Sequence, residues 1–481
     1  MPASFSRKDR PMQLVLRLTT HPARAAMLAA LCALALTACN NSSPAPTGDA
    51  GPTPADTGAG DGGALTDTGA AARSIAEIAQ ADGRFTILLA AATRAGLAGP
   101  LSSTGTFTVF APTDDAFAAS GITRAMVDAM PVDQLTQILQ YHALGSVVRS
   151  SAIAAGPATT LANLSIILGT TGGVTINGGN AVTGGAGVVA ADIEASNGVI
   201  HVIDRVLLPP TVAQLATYAG LTSLAGAVTS AGLVDALSGT GPFTVFAPTN
   251  AAFAELGSGA PTGDALRTVL LYHVVGASVA STGVPAMASS LATNTYGDSL
   301  TLLFDTTSGV RINGGAASVV IADVRGTNGI VHVVDHVITP MNVPQAAQAA
   351  GLTSLVATVG AAAPLADGTT VAAALSAQAP YTVFAPTNAA FDAIASTTAT
   401  LTPAQIRDVL LYHVLSTTAF PTPVLAADLP SSATDLATLN GATVRLDPTV
   451  TPPTVDGQPI VITDVVVTNG VVHVVGGVLL P

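Results

Sequence analysis

The chain has 481 residues, 49% of them hydrophobic and 9% charged, with no tryptophan and a formal net charge of −13. At roughly 100 to 200 residues per domain, this length suggests about three domains, each with ample core material under a weakly charged surface. Residues 1–38 hold five basic residues against one acidic, so the chain without them carries −17; with no basic stripe to override that charge, nucleic acid is excluded as a partner.

The basic residues Arg7, Lys8, Arg10, Arg17 and Arg24 precede an apolar run, Ala25 to Ala38, that ends Leu36-Thr37-Ala38-Cys39. Fourteen residues are too few to span a bilayer comfortably, and a positive segment ahead of an apolar one reads as a secretory signal, residues 1–38. The Leu-Thr-Ala-Cys ending resembles the lipobox of bacterial lipoproteins, which implies that Cys39 is lipidated and becomes the new N-terminus. An ordinary cleaved signal ending near Ala38 is the other reading, and Met12 is a second candidate start. Cys32 and Cys39 are the only cysteines, so the folded body has no disulfide or cysteine metal site. Residues 39–72 are rich in Pro, Gly, Thr and Asp with almost nothing to bury, and are expected to be a disordered tether.

One phrase then occurs three times: FTVFAPTDDAF at Phe107–Phe117, FTVFAPTNAAF at Phe243–Phe253 and YTVFAPTNAAF at Tyr381–Phe391. The spacings are 136 and 138 positions, the period of a domain rather than of a solenoid unit of ~20 to 50 residues. The repeats are expected over 73–209, 210–341 and 342–481. Each opens with a helix, as in Leu221, Leu224, Ala225 and Val228 on one face. In the phrase, Phe243–Phe246 has strand composition, Pro248 ends the strand, and Thr249 or Asn250 caps a helix. A second helix follows, with Leu266, Val269, Leu270 and His273 on one apolar face and matching residues at 135–142 and 406–413. It ends in a Tyr-His pair whose tyrosine is expected on the flank.

The last third of each repeat is β-rich, with turn signals at Asn177, Asn313 and Asp456. It closes with a hairpin carrying Asn197, Asn328 or Asn469, and then the strands Val199–Asp204, Ile330–Asp335 and Val471–Gly476. Both faces of this strand are apolar, so it is expected to be buried on both sides. Prolines 209, 210, 340 and 344 stiffen the joints between repeats.

The phrase, the later Tyr-His and the closing NGVIHVIDRVLLP together resemble the fasciclin, or FAS1, domain: its two signature boxes and its intermediate motif, three times over, from about Arg73 to Pro481. The resemblance implies an α+β class: three tandem FAS1-like domains, each a β-sandwich or wedge of about seven strands with packed helices. It also implies a non-catalytic adhesive role for a secreted or membrane-anchored protein that binds surface or matrix proteins or glycans, or itself. The chain is then exported to the cell envelope and anchored at the cell surface or outer membrane, touching a membrane only through its lipid. The alternative is a carrier of an apolar small molecule, such as a carotenoid or lipid, because some fasciclin-like relatives bind lipophiles.

The family's ligand-contacting Tyr-His maps onto Tyr141 and His142, Tyr272 and His273, Tyr412 and His413. Their other reading is a packed helix end bonded to backbone carbonyls. His201 with Asp204 and His332 with Asp335 suggest half of a catalytic triad, but residues three apart on a strand face opposite sides. The third repeat also has Gly476 in place of the Asp, and no nucleophile recurs in a fitting context. Instead, Asp192, Asp323 and Asp464 each precede the strand histidine, His201, His332 or His473, by nine positions. A two-residue Asn-Gly loop would pair Asp192 with Ile203 and place it diagonal to His201 on the same face. A structural Asp–His hydrogen bond is therefore expected. No cofactor or metal is called for.

Overall fold

A computed structural model describes residues 73–179 and 184–481; the signal, Cys39 and the tether lie outside the described residues. Of the described residues, those from 73 to 209 belong to one compact unit, and Pro210–Pro481, holding the second and third repeats, to another. Among the described residues no helix is long and apolar enough to cross a membrane.

The first repeat shows the plan. Helices Ile75–Asp82, Thr86–Arg94 and Ala98–Ser102 lead into the strand Phe107–Pro112. Pro112 is its last residue, and the hydroxyl of Thr113 accepts the Ala116 N–H to cap the next helix, Asp114–Ala119. Thr249 and Thr387 do the same in their repeats, so the threonine rather than the following Asn is the cap. A short helix, Arg124–Ala129, and the Tyr-His helix, Val132–Tyr141, come next, and then the β-rich third.

The two signature phrases lie side by side. Phe107–Pro112 runs parallel to the closing strand Gly198–Ile203, with Phe107 opposite Gly198 and Phe110 opposite His201; the same register joins Phe243 to Gly329 and Tyr381 to Gly470. The closing strand pairs on its other edge with the long strand Ala186–Ala195. It is therefore central, and all six of its residues are buried. Alternation sends Ile200 and Val202 to a core under the helices with Ile75, Phe85 and Val109. Ile203 goes to the opposite core with Phe110, Tyr141 and Ile166. Each sheet holds six or seven strands: open in the first and third repeats, closed into a barrel in the second.

The hairpin before the closing strand departs from expectation in two ways. Its two-residue loop is Ser196-Asn197, and Gly198 is already the first strand residue. The glycine is required there because a Cβ would meet the Phe107 carbonyl oxygen, and Gly329 and Gly470 face the same obstacle. The long strand also carries a bulge at Asp192, Asp323 and Asp464, each left-handed with φ of 58°, 59° and 60°.

Within the second unit, the second repeat docks on the third. The Thr301 hydroxyl, in strand Ser299–Asp305, donates to the Asp464 carbonyl (3.2 Å) and accepts the Val466 N–H (2.9 Å) at the bulge of strand Gln458–Val467. Asn294 donates to the Val467 carbonyl and Gln378 to the Thr295 hydroxyl. Met287 and Leu303 pack on the core of the third repeat, while Val466 and Leu425 join that of the second. Apolar burial with each polar group paired makes this a fixed joint rather than a hinge.

Candidate functional site

Each repeat encloses one buried polar network built from its motifs. In the Tyr-His pair, the tyrosine is the last helical residue and the histidine the C-cap. His142 Nδ1 bonds the Ile138 carbonyl (2.8 Å) and its Nε2 receives the Leu207 N–H (2.9 Å). An amide can only donate, so Nε2 is bare and Nδ1 carries the proton, an assignment made from these partners. His273 holds Val269 and Ile338 in the same way, and His413 holds Val409 and Leu479. Burial pushes all three imidazoles down to about 4, against the bond to the helix carbonyl that favours charge.

The strand histidines have the opposite tautomer. His201 Nε2 donates to the Val148 carbonyl (2.9 Å), while Nδ1 accepts the Asp192 backbone N–H (3.3 Å). His332 stands between Val279 and Asp323, and His473 between Val424 and Asp464. The expected Asp–His link thus exists through the amide and not the carboxylate. The reason is the bulge, whose left-handed residue aims its N–H at the ring and turns its side chain to the loop that comes after the Tyr-His helix. There the carboxylates of Asp192 and Asp323 accept both the N–H and the hydroxyl of Ser150 and Ser281, and that of Asp464 accepts the Ala426 N–H. In the third repeat the carboxylate stays 4.0 Å from the His473 ring. Asp204 and Asp335 take the Gly187 and Ser318 N–H groups, bracing the neighbouring strand.

The tyrosines lie inside and not on the flank. Tyr141 is 0% exposed, and Tyr272 and Tyr412 are also buried, because the following strands fold over the helix end and supply partners for the phenol. The Tyr141 hydroxyl donates to the Ser165 carbonyl and accepts from Asn177 Nδ2; Tyr272 does so with Thr301 and Asn313. In the third repeat Asp456 replaces the Asn, and Tyr412 meets two acceptors, the Asp456 carboxylate (2.7 Å) and the Thr443 carbonyl (2.9 Å). Burial and then the Asp456 carboxylate raise Tyr412 to about 12. All six Tyr-His residues face inward, so in this conformation a partner meets their neighbours and not them.

Two groups escaped sequence reading. Asn197, seen only as a turn residue, accepts the Ile75 N–H and donates to the Leu101 and Ser103 carbonyls, tying three distant segments together. Asn328 and Asn469 repeat this. Thr108, second in its phrase, donates to the Ser146 carbonyl and accepts the Val148 N–H, fixing the loop that feeds His201. Their recurrence at one place in every repeat was the available signal.

A family model, the Fasciclin domain, matches residues 83–209, 219–340 and 354–481. The chain belongs to the fasciclin domain family. Among relatives, protein sll1483 of Synechocystis sp. is 38% identical over 141 residues, 29% of this chain and 75% of that protein. Transforming growth factor-beta-induced protein ig-h3 of Sus scrofa is 28% identical over 435 residues, and Periostin of Homo sapiens 26% over 424. Each covers 85% of this chain, which spans 58% and 47% of their respective lengths. Among solved structures, a FAS1 domain pair from the insect cell adhesion molecule Fasciclin I matches with a TM-score of 0.34 and 20% identity, over 55% of this chain and 97% of that one.

The three fasciclin repeats also share an outward feature. Three residues before the bulge aspartate, Val189, Val320 and Val461 are 63%, 55% and 52% exposed. Ile321 and Ile462 stand beside the latter two, also exposed. A single exposed valine is ordinary; the same one in every repeat marks a common face.

Proposed function

We propose that this chain is a non-catalytic adhesion or matrix-binding protein of the cell envelope, acting through protein–protein or protein–glycan contacts of its fasciclin domains. The observation that carries this reading is the exposed β-branched position recurring on the bulged strand, Val189, Val320 and Val461, in a chain whose motif histidines and tyrosines are buried. Fasciclin domains occur in adhesion and matrix proteins, which supports the same reading. One such position offers a weak contact, and three on one chain add avidity. Changing all three valines to Asp is expected to abolish retention on envelope or matrix extract immobilised on a surface, with each single change leaving most of it. Equal retention of the triple variant and the parent rejects the reading.

Export and lipidation at Cys39 belong to the proposal, with residues 39–72 as a tether of mean reach about 30 Å. Cys39→Ala is expected to move the protein from the detergent phase to the aqueous phase in a two-phase partition; an unchanged partition rejects the anchor.

A second reading rests on a pocket of about 330 Å³ in the third repeat, lined by Phe391, Ile394, Leu401, Ile406 and Val409 among others. The corresponding space in the first repeat is about 20 Å³, lined in part by Ile122, Val127 and Met130. The larger pocket is of the size and apolarity that hold small ligands, which supports an apolar-molecule carrier. Solvent extraction of the purified protein followed by absorbance and mass measurement separates the two: a stoichiometric lipophile favours the carrier, an empty protein the adhesin.

A further inference from the structure

The junction between the second and third repeats is head to tail: one repeat gives the strand with Thr301, and the next receives it at its bulge. Such an interface uses two different faces, so every repeat carries a copy of each, and unpaired copies can propagate into open chains. Register identifies these copies. Ser289 opposite Thr301 and Met287 opposite Leu303 in the second repeat correspond to Ala437 opposite Thr443 and Asp435 opposite Arg445 in the third. Tyr272 and Tyr412 donate to the carbonyls of Thr301 and Thr443, which confirms the alignment. On the receiving side, Val466 opposite Val471 corresponds to Glu194 opposite Val199. Leu425 corresponds to Arg149, since each precedes the residue whose N–H meets the bulge carboxylate.

Two apolar pairs at the formed junction are thus replaced by two ion pairs. Where the second repeat has Met287 and Leu303, the third has Asp435 and Arg445, 3.1 Å apart. Where the third has Val466 and Leu425, the first has Glu194 and Arg149, 2.8 Å apart. All four charged side chains are more than half exposed. The backbone part of each face persists: Thr443 is exposed at the docking position, and Asp192 holds the same left-handed bulge as Asp464.

We propose that these ion pairs are caps that keep the giving face of the third repeat from docking on the receiving face of the first repeat in a second copy of the chain. An exposed pair contributes little to the fold, but burying it strips water from two charges without supplying new partners. The faces keep the docking threonine and the left-handed bulge and lack the apolar contacts of the junction; the hairpin from Ala437 to Thr443 is also shorter than that from Ser289 to Thr301, which carries Asn294. Removing the charges restores the apolar part of the dock.

The test uses the full chain in two forms. One opens the receiving face, Arg149→Leu with Glu194→Val; the other opens the giving face, Asp435→Met with Arg445→Leu. By sedimentation equilibrium, the parent and each form alone are expected at the mass of one copy, and an equimolar mixture at that of a one-to-one complex. Thr443→Arg added to the second form is expected to abolish the complex, which separates specific docking from general stickiness. A mixture that stays at one-copy mass while both forms keep the parent's melting temperature overturns the proposal. So does self-association of either form alone, or of a parent that Thr443→Arg returns to one copy. If the apolar forms fail to fold, Asp435→Asn with Arg445→Gln, mixed with Arg149→Gln and Glu194→Gln, carries the same test with a smaller complexed fraction.

Discussion

The second and third repeats hold the same tyrosine in the same place, and one side chain separates them. Around Tyr272 the bonds run in one direction: Asn313 donates to the phenol, which donates to the Thr301 carbonyl. Around Tyr412, Asp456 has no proton to give, and the phenol's single proton faces two acceptors. The carboxylate stands in the repeat whose covering strand is in water, since Thr443 is exposed where Thr301 is buried under the next repeat. A charge that would be costly beneath a junction is tolerated where the covering strand is exposed.

The largest change expected is common to all repeats and would blur this contrast. His142, His273 and His413 sit near 4 in the fold against 6.5 free. The folded value is depressed, so their contribution is present above pH 6.5 and lost as the pH falls through 4, on the order of 3 kcal/mol per histidine. Urea titrations at pH 7, 5.5 and 4 should show falling midpoints, with proton uptake on unfolding; flat midpoints would contradict neutral buried imidazoles.

Asn313→Asp sharpens the comparison directly by placing the third repeat's carboxylate under a junction. It should cost about 2 to 4 kcal/mol in urea unfolding, against less than about 1 kcal/mol in either direction for Asp456→Asn. Equal effects would show that coverage does not matter. Tyr272→Phe should cost about 1 to 3 kcal/mol, because it strands the Asn313 donor and the Thr301 carbonyl, and Tyr412→Phe less, because it strands no donor. Smallest, Thr301→Ala should lower the stability of the second unit by about 1 to 2 kcal/mol, while Thr443→Ala stays within about 0.5 kcal/mol. A Thr443 effect as large as that of Thr301 would place an unrecognised contact on the exposed face.

The parts of the fold legible in the sequence are those set by local chemistry. The strand, proline and threonine cap of FTVFAPT depend on neighbours in the chain, and the doubly apolar closing strand announces its central place. The burial of Tyr141 is not legible, because a helical period describes one helix and the strand that covers this residue begins 24 residues later at Ser165. The Asp192–His201 pair is legible in the spacing of nine, but that the bond runs through the Asp192 amide is not, because a bulge turns the side chain away and leaves no mark in composition. Asn197 looks like any hairpin residue until its two partner segments, at Ile75 and at Leu101–Ser103, are in place. The junction is carried by Thr301, whose counterparts Ser165 and Thr443 are chemically similar. Its ends are legible only as departures between repeats, Val466 against Glu194 and Leu303 against Arg445.

The parallel pairing of Phe107–Pro112 with Gly198–Ile203 has a consequence for synthesis. The last strand of a repeat enters between two strands made before it, so no repeat can close until its final residues have left the ribosome. The long-range contact delays folding; a chain passing through a membrane pore would stay open and threadable until each repeat had emerged whole.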